Sequence, residues 1–216
     1  MMRSRDLLEK ALLAAVEKKR LIVFFLMTHA AFLFFGMLTM SLEMPAIAEL
    51  HSGLMEEIQD VTYLKPLTGA LAPYLTLKIL YTFSFNLMVG AFISTTLTGP
   101  VFFIPCVIAV WRSFIIGVLY YGMEASPLMP LVFFGTALFE FTAYSLGSAL
   151  GTDLGLSLLL PGRKGTTSRR EALGITFREG IWLYVLIVIL LLIGAIWEIS
   201  WLHYLGASVP SASPAS

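Results

Sequence analysis

Residues 181–204 read IWLYVLIVILLLIGAIWEISWLHY, an apolar run in which Glu198 is the only acidic residue. About 20 helical residues cross the roughly 30 Å of bilayer hydrocarbon, so this run predicts a membrane-spanning helix. Trp197, Trp201 and Tyr204 lie at its carboxyl-terminal end, where aromatic side chains are typical of the membrane–water interface. The fold therefore follows from how many such runs the chain contains.

Four further apolar runs precede this one, at residues 21–40, 77–97, 101–121 and 129–150. Hydrophobic residues make up 58% of the 216 residues and charged residues 13%, with a mean hydropathy of +0.85. Soluble domains average about 25% charged residues, which excludes that class. We predict an all-α, polytopic integral membrane bundle of about five transmembrane helices in one membrane domain, 21–205.

Two amphipathic segments lie outside these runs. Residues 1–20 carry apolar side chains at helical spacing among six bases, and predict a helix on the membrane surface before an uncleaved first span. Residues 45–60 predict a second amphipathic helix between spans one and two. Its apolar face comprises Ile47, Leu50, Leu54 and Ile58. The uncharged tail 206–216, rich in Ser, Ala and Pro, is predicted to be disordered.

The positions of the bases predict the orientation. Residues 1–20 hold six of the 14 bases and the predicted loop 162–180 holds five. Five spans place both segments on the same side, and the positive-inside rule makes that side cytoplasmic. We expect a multi-pass protein of the cell membrane with a cytoplasmic amino terminus and an extracellular carboxyl terminus.

Three charged residues lie deep within the apolar runs, away from their ends: Arg112, Glu140 and Glu198. A charge at the centre of a bilayer costs about 2.5 kcal/mol or more, so such residues face other protein or water. Arg112 and Glu140 both fall near the midplane, where an ion pair could join spans three and four. Such a pair either holds the helices together or serves transport or gating. Asn86 in span two and Asp153 at the cytoplasmic end of span four add polar groups.

Other features of the spans favour packing. His29 is interpreted as a packed, hydrogen-bonded residue, since nothing around it resembles a metal site. Gly147, Gly151 and Gly155 are spaced four residues apart, the pattern that lets another helix approach closely. This stripe indicates either a homodimer seam or packing within one chain.

The sequence contains no motif of a soluble enzyme. It lacks a phosphate-binding glycine loop with its lysine, paired metal-ligand histidines and a nucleophile elbow. We therefore expect no catalytic activity, no cofactor and no metal. A few loop bases do not amount to a nucleic-acid-binding surface.

Span four carries the most specific pattern. Residues 136–143 read Thr-Ala-Leu-Phe-Glu-Phe-Thr-Ala, and Gly147 and Gly151 follow. This resembles the signature of the stage II sporulation protein M family, a His-Gly-x-x-Glu-x-x-Ala core followed by spaced glycines. Glu140 and Ala143 carry over directly, as does the late Glu198. Thr136 and Ala137 replace the family's His-Gly, and Arg112 stands where a small or amide residue is usual, as in a divergent member.

The resemblance implies a five-span membrane scaffold. In spore-forming bacteria such a protein gathers cell-wall-degrading partners during engulfment. We expect a scaffold or assembly component whose partners are the bilayer, other membrane or envelope proteins, or a second copy of the chain. Glu49, Glu56 and Glu57, on the acidic face of 45–60, are the predicted partner-binding residues. The alternatives are a small-solute or ion transporter or channel that uses Arg112, Glu140 and Glu198, or a membrane subunit of a larger transport machine.

The orientation is testable with reporter fusions. A reporter fused after Ser216 should be active only outside the cytoplasm, and one inserted near Gly165 only inside, because the bases retain the loop on the cytoplasmic side. Activity of both reporters on one side would contradict the five-span arrangement.

Overall fold

The computed structural model describes residues 4–60, 65–122 and 126–205. The α-helices are α1 Ser4–Glu17, α2 Lys19–Ser41, α3 Pro45–Asp60, the single turn α4 Lys65–Thr68, α5 Leu75–Phe85, α6 Ile104–Leu119, α7 Met129–Leu159 and α8 Arg169–Tyr204. A π-helix, Asn86–Leu97, continues α5, and 3-10 turns follow α6 and α7. The described part contains no strand. This confirms the predicted all-α membrane bundle.

Within the described residues, four helices are long and apolar enough to cross a membrane: α2, the continuous Leu75–Leu97, α7 and α8. The third predicted span, 101–121, is shorter than expected, with an apolar α6 of 16 residues. The first residues of the predicted span, 101–103, belong instead to a turn at 98–103. At 1.5 Å per residue α6 is about 24 Å long, and the 3-10 turn Tyr120–Gly122 lengthens it further.

Helices α2 and α6 run parallel and touch backbone to backbone. His29 hydrogen-bonds Ser113, and one turn later Leu33 meets Gly117, so the partners advance together along both helices. A Cβ on Gly117 would lie 2.1 Å from the Leu33 carbonyl oxygen. Parallel packing requires an odd number of crossings between the two helices, here the single crossing Leu75–Leu97, in agreement with α6 as span three.

The glycine stripe of α7 packs against the π-helix and the turn that follows it. The two segments run parallel, since the contacting residues advance in the same direction along both: Asn86 contacts Glu140, Gly90 contacts Tyr144, Thr95 contacts Gly151, and Gly99 contacts Gly155. A Cβ on Gly151 would lie 2.2 Å from the Thr95 carbonyl oxygen. The stripe is therefore used within one chain, which decides between the two sequence interpretations. Buried Ala143 belongs to the hydrophobic core on the same helix.

Helices α7 and α8 form an antiparallel hairpin that is longer than predicted. Span four was expected to end at 150 and span five to begin at 181, but α7 continues to Leu159 and α8 begins at Arg169. The sequence signal is a capping box: Ser168 accepts a hydrogen bond from the Glu171 backbone N–H. The 36 residues of α8 extend about 54 Å, well beyond the hydrocarbon thickness. Most of the predicted basic loop is thus helix.

The amphipathic helices pack on the bundle. Helix α1 buries Ala11 and Ala14 against it and exposes Leu8, Leu12 and Val16. Helix α3 has the predicted bounds, 45–60, and contacts α2 and α6. Its apolar Ile47, Leu50 and Leu54 are half-buried, and Glu49, Glu56 and Glu57 are exposed. Residues 1–3, the tail 206–216 and the side chain of Ile58 lie outside the described part.

Close packing at Gly117 predicts the effect of adding one methyl group. Gly117→Ala should lower the stability of the detergent-solubilised protein by roughly 1–3 kcal/mol, because the Leu33 backbone blocks the new Cβ. Gly174→Ala is the matched control, since Gly174 lies in α8 and an added Cβ would meet no atom within 4 Å. That control should gain up to about 1 kcal/mol from helix propensity. Thermal unfolding measures the stability of both variants, and equal effects would contradict close packing of Gly117 against α2.

Candidate functional site

A group of polar side chains joins three of the membrane helices. We call it the intramembrane cluster: Asn86, Ser94, Arg112, Glu140 and Tyr144. Asn86 and Ser94 lie on the π-helix, Arg112 on α6, and Glu140 and Tyr144 on α7. The contact between the π-helix and α7 brings the residues of these two helices together, and α6 contributes Arg112.

Arg112 is held by the π-helix and by an aromatic ring. Its guanidinium donates to the Gly90 carbonyl oxygen at 3.2 Å and to the Ser94 hydroxyl at 2.7 Å. Its Cζ lies 4.3 Å from the centre of the Tyr144 ring, a cation–π contact. The Ser94 hydroxyl in turn donates to the carbonyls of Val89 and Gly90. A π-helix is usually confined to one turn and is frequent at functional sites, whereas this one runs for 12 residues.

Glu140 is hydrogen-bonded to Asn86 and to Tyr144. The Asn86 amide donates to Glu140 Oε1, and the Tyr144 hydroxyl donates to Glu140 Oε2 at 3.3 Å. The predicted direct Arg112–Glu140 ion pair is not among the contacts of the described residues. Tyr144, which is only 3% exposed, contacts both: its ring lies against the Arg112 guanidinium, and its hydroxyl donates to Glu140. The two charges interact electrostatically, but the guanidinium donates its hydrogen bonds to the π-helix, which is the physical reason for the correction.

Glu198 faces the same region from α8. It is half-buried and interacts electrostatically with Glu140 and Tyr144. Gly194, one turn before it, packs against α7: a Cβ there would lie 3.2 Å from Phe139 Cβ and 3.8 Å from Glu140 Cγ. The neighbouring Trp197 donates its ring N–H to the Val132 carbonyl oxygen at 3.2 Å. In the described region, the two carboxylates thus lie close enough to interact with each other, and Arg112 acts electrostatically on Glu140 alone of the two.

His29 behaves as a packed residue, in line with the sequence interpretation. Its Nδ1 is hydrogen-bonded to Ser113, and its ring stacks on Phe141 with centroids 4.7 Å apart. The described residues include no group of His, Cys, Asp or Glu arranged to hold a metal ion. His29 therefore links α2, α6 and α7 beside the intramembrane cluster.

A second set of charges lies at the end of the bundle where α1, α7 and α8 meet. We call it the charge network: Lys18, Asp153, Lys164 and Glu179. Each lysine contacts both acids; Lys164 Nζ is 3.0 Å from Asp153 and 2.7 Å from Glu179. Lys18 is bonded to Asp153 and is 2.7 Å from Glu179, with only 4% of its side chain exposed.

The charges of this network balance. Burial lowers the pKa of Lys164, but its hydrogen bonds to Glu179 and Asp153 outweigh burial and raise the pKa above its ordinary value. The lysine is therefore charged at neutral pH. Because Lys18 follows α1 and Lys164 follows α7, the network also shows that the two most basic segments lie at the same end of the bundle, as predicted.

Tyr144 and three members of the charge network were not anticipated from the sequence. A signal for Tyr144 existed, since it lies four residues after Glu140 and therefore on the same helix face. Lys18 and Lys164 were counted only among the bases that predict the orientation, and Glu179 lay unremarked within the predicted loop 162–180. The predicted Glu49, Glu56 and Glu57 lie apart from both sites, on the exposed face of α3.

Comparison with known families identifies the family of the chain. Residues 21–201 match the family described as Stage II sporulation protein M, and the chain belongs to that family. No curated protein and no solved structure matches the chain. The match covers nearly all of the membrane helices, and both polar sites apart from Lys18.

The geometry predicts that Arg112 and Glu140 depend on each other through Tyr144. Arg112→Met and Glu140→Gln should each lower stability in detergent, because each disrupts a cluster removed from water. Removing one partner of a buried pair costs about 3–5 kcal/mol, and this bridged arrangement should cost less. The double variant should recover part of the loss, which a double-mutant cycle measures.

The control for this cycle is Arg170→Met, which removes a base from an exposed position on α8. It should change stability by no more than about 0.5 kcal/mol. Strictly additive single effects in the cycle would show that Tyr144 does not couple the two charges.

Proposed function

We propose that this chain is an integral membrane scaffold or assembly component without catalytic activity. The observation that carries the proposal is that the intramembrane polar groups are bonded to other groups of the same bundle. Arg112 and Glu140 are occupied by neighbouring side chains and by backbone carbonyls of the same bundle. Groups satisfied in this way stabilise a fixed arrangement of helices, which suits a platform for other proteins.

The polar surfaces available to partners lie at the two ends. Helix α3, which contacts α2 and α6, exposes Glu49, Glu56 and Glu57 while its apolar side chains are half-buried. At the opposite end, the α7–α8 hairpin extends beyond the apolar run and exposes Arg169 and Arg170. An acidic surface on one side and a basic one on the other favour partners of complementary charge.

Membership of the family supports the same proposal. The resemblance implies assembly of envelope proteins in spore-forming relatives, and the match covers nearly the whole helical bundle. We infer a related role here, with membrane or envelope proteins as partners and a second copy of the chain as a further candidate. The orientation remains the one proposed from the bases, with α3 outside the cytoplasm.

Glu198 supports an alternative, small-solute or ion transport. It interacts with Glu140, yet among the described residues neither a hydrogen-bond donor nor a base is paired with it. Carboxylates within membrane spans often mark pathways for ions or protons. A transport machine containing this chain as a subunit would use the same groups.

Charge reversal on α3 tests the scaffold. Glu49→Lys, Glu56→Lys and Glu57→Lys, singly and together, should reduce co-purification of envelope proteins while leaving membrane insertion intact. The triple variant should lose the most, because like charges then face the partner. Glu43→Lys is the matched single control, an exposed acid in the turn before α3.

The readout is quantitative mass spectrometry of proteins that co-purify in mild detergent, together with solute flux in liposomes. Partner yields equal to wild type in the triple variant would mean that α3 only caps the bundle. Flux that is lost in Glu198→Gln without loss of stability would replace the scaffold by transport.

A further inference from the structure

A cavity of about 250 Å³ opens beside the charge network, where α1 joins α2. The residues that line it are Glu17, Lys18, Lys19, Arg20, Leu21, Asp153, Arg163, Lys164 and Glu179. They come from the α1–α2 junction, α7, the 3-10 turn Pro161–Lys164 and α8. Four separate segments of the fold thus converge on one polar recess.

The lining carries excess positive charge. Five bases against three acids leave a net charge of +2. The charge network neutralises Lys18 and Lys164 with Asp153 and Glu179. None of the ion pairs in the described part of the chain involves Lys19, Arg20 or Arg163, and all three are exposed. Three bases with Glu17 as the only remaining acid favour an anion.

Apolar surface adjoins these bases. Leu21, at the edge of the cavity, begins the first membrane run. Just before the cavity, α1 exposes Leu8, Leu12 and Val16, which share one helix face, and Val16 is 60% exposed. An anion-binding recess next to an exposed apolar strip matches a molecule with a charged head and hydrocarbon chains.

We propose that the cavity binds the phosphate of an anionic glycerophospholipid. The phosphate is held by Arg20 and Arg163, with Lys19 beside them, and the acyl chains lie along the exposed leucines and valine of α1. Arginine binds phosphate oxygens with two parallel N–H donors, and basic recesses between membrane helices are established lipid headgroup sites. One water occupies about 30 Å³ of liquid, so the cavity has room for a phosphate with its glycerol.

The charge network gives this site its shape. Lys18 and Lys164 are fixed by their acids, so they position the cavity wall, while the exposed bases remain available for a ligand. The site would anchor the α1–α2 junction and the α7–α8 hairpin to the same lipid. A lipid bound there would therefore stabilise the contact between the amino-terminal segment and the rest of the bundle.

The full chain in mild detergent tests the site with three probes: phosphatidylglycerol, phosphatidylcholine and soluble glycerol phosphate. Native mass spectrometry and thermal unfolding should show binding and stabilisation by phosphatidylglycerol. Arg20→Gln with Arg163→Gln should weaken this binding by roughly 30-fold, since each base near a lipid surface contributes about fivefold. Lys19→Gln alone should weaken it by about fivefold.

The matched control is Arg169→Gln with Arg170→Gln, which removes two exposed bases near the same end but outside the cavity. It should bind phosphatidylglycerol like the wild type. Equal losses in the two double variants would overturn the site in favour of general surface charge. Equal stabilisation by phosphatidylcholine, or by glycerol phosphate at the same concentration, would likewise exclude an anionic lipid as the ligand.

Discussion

The cost of a charge in hydrocarbon governs the interior of this bundle. Arg112 is accommodated because the π-helix presents the Gly90 carbonyl and the Ser94 hydroxyl to it, and because the Tyr144 ring covers its guanidinium. The Tyr144 ring can join the two π-helix partners only because the π-helix lies close against α7, where Gly90 leaves room for the ring. The electrostatics of the site therefore depend on backbone approach, and hence on glycine.

Close approach recurs at each parallel helix contact. Gly117 admits the Leu33 backbone between α6 and α2, and Gly151 admits Thr95 between α7 and the π-helix. Small residues serve this purpose in membranes because lipid gives apolar helices little hydrophobic drive to associate. Helix α7 is the common element: its glycines receive the π-helix, and its Glu140 and Tyr144 contribute to the polar cluster. The family signature falls on this helix, which connects the signature with packing and charge at once.

Hydropathy was sufficient for the fold class, since long apolar runs have few alternatives to membrane helices. It was insufficient for the helix ends, because α7 and α8 continue beyond the hydrocarbon and are stabilised there by mutual contacts and by the cap at Ser168. Hydropathy also identified Arg112, Glu140 and Glu198, because charged residues stand out within apolar runs. It did not identify their partners. Tyr144 does not stand out in an apolar run, and which side chains pair depends on the orientation of each helix.

The charge network and the exposed bases beside it serve different purposes, the first structural and the second available for binding. In the charge network, Lys18 and Lys164 form ion pairs with two acids, so the network has no net charge. Beside it, Arg20 and Arg163 remain exposed on the rim of the same cavity. Bases required only for membrane orientation need no particular geometry, because the positive-inside rule depends on their number near the span. Convergence of separate segments on one recess requires the folded bundle, and a bound phosphate would make use of that convergence in a way that orientation alone does not.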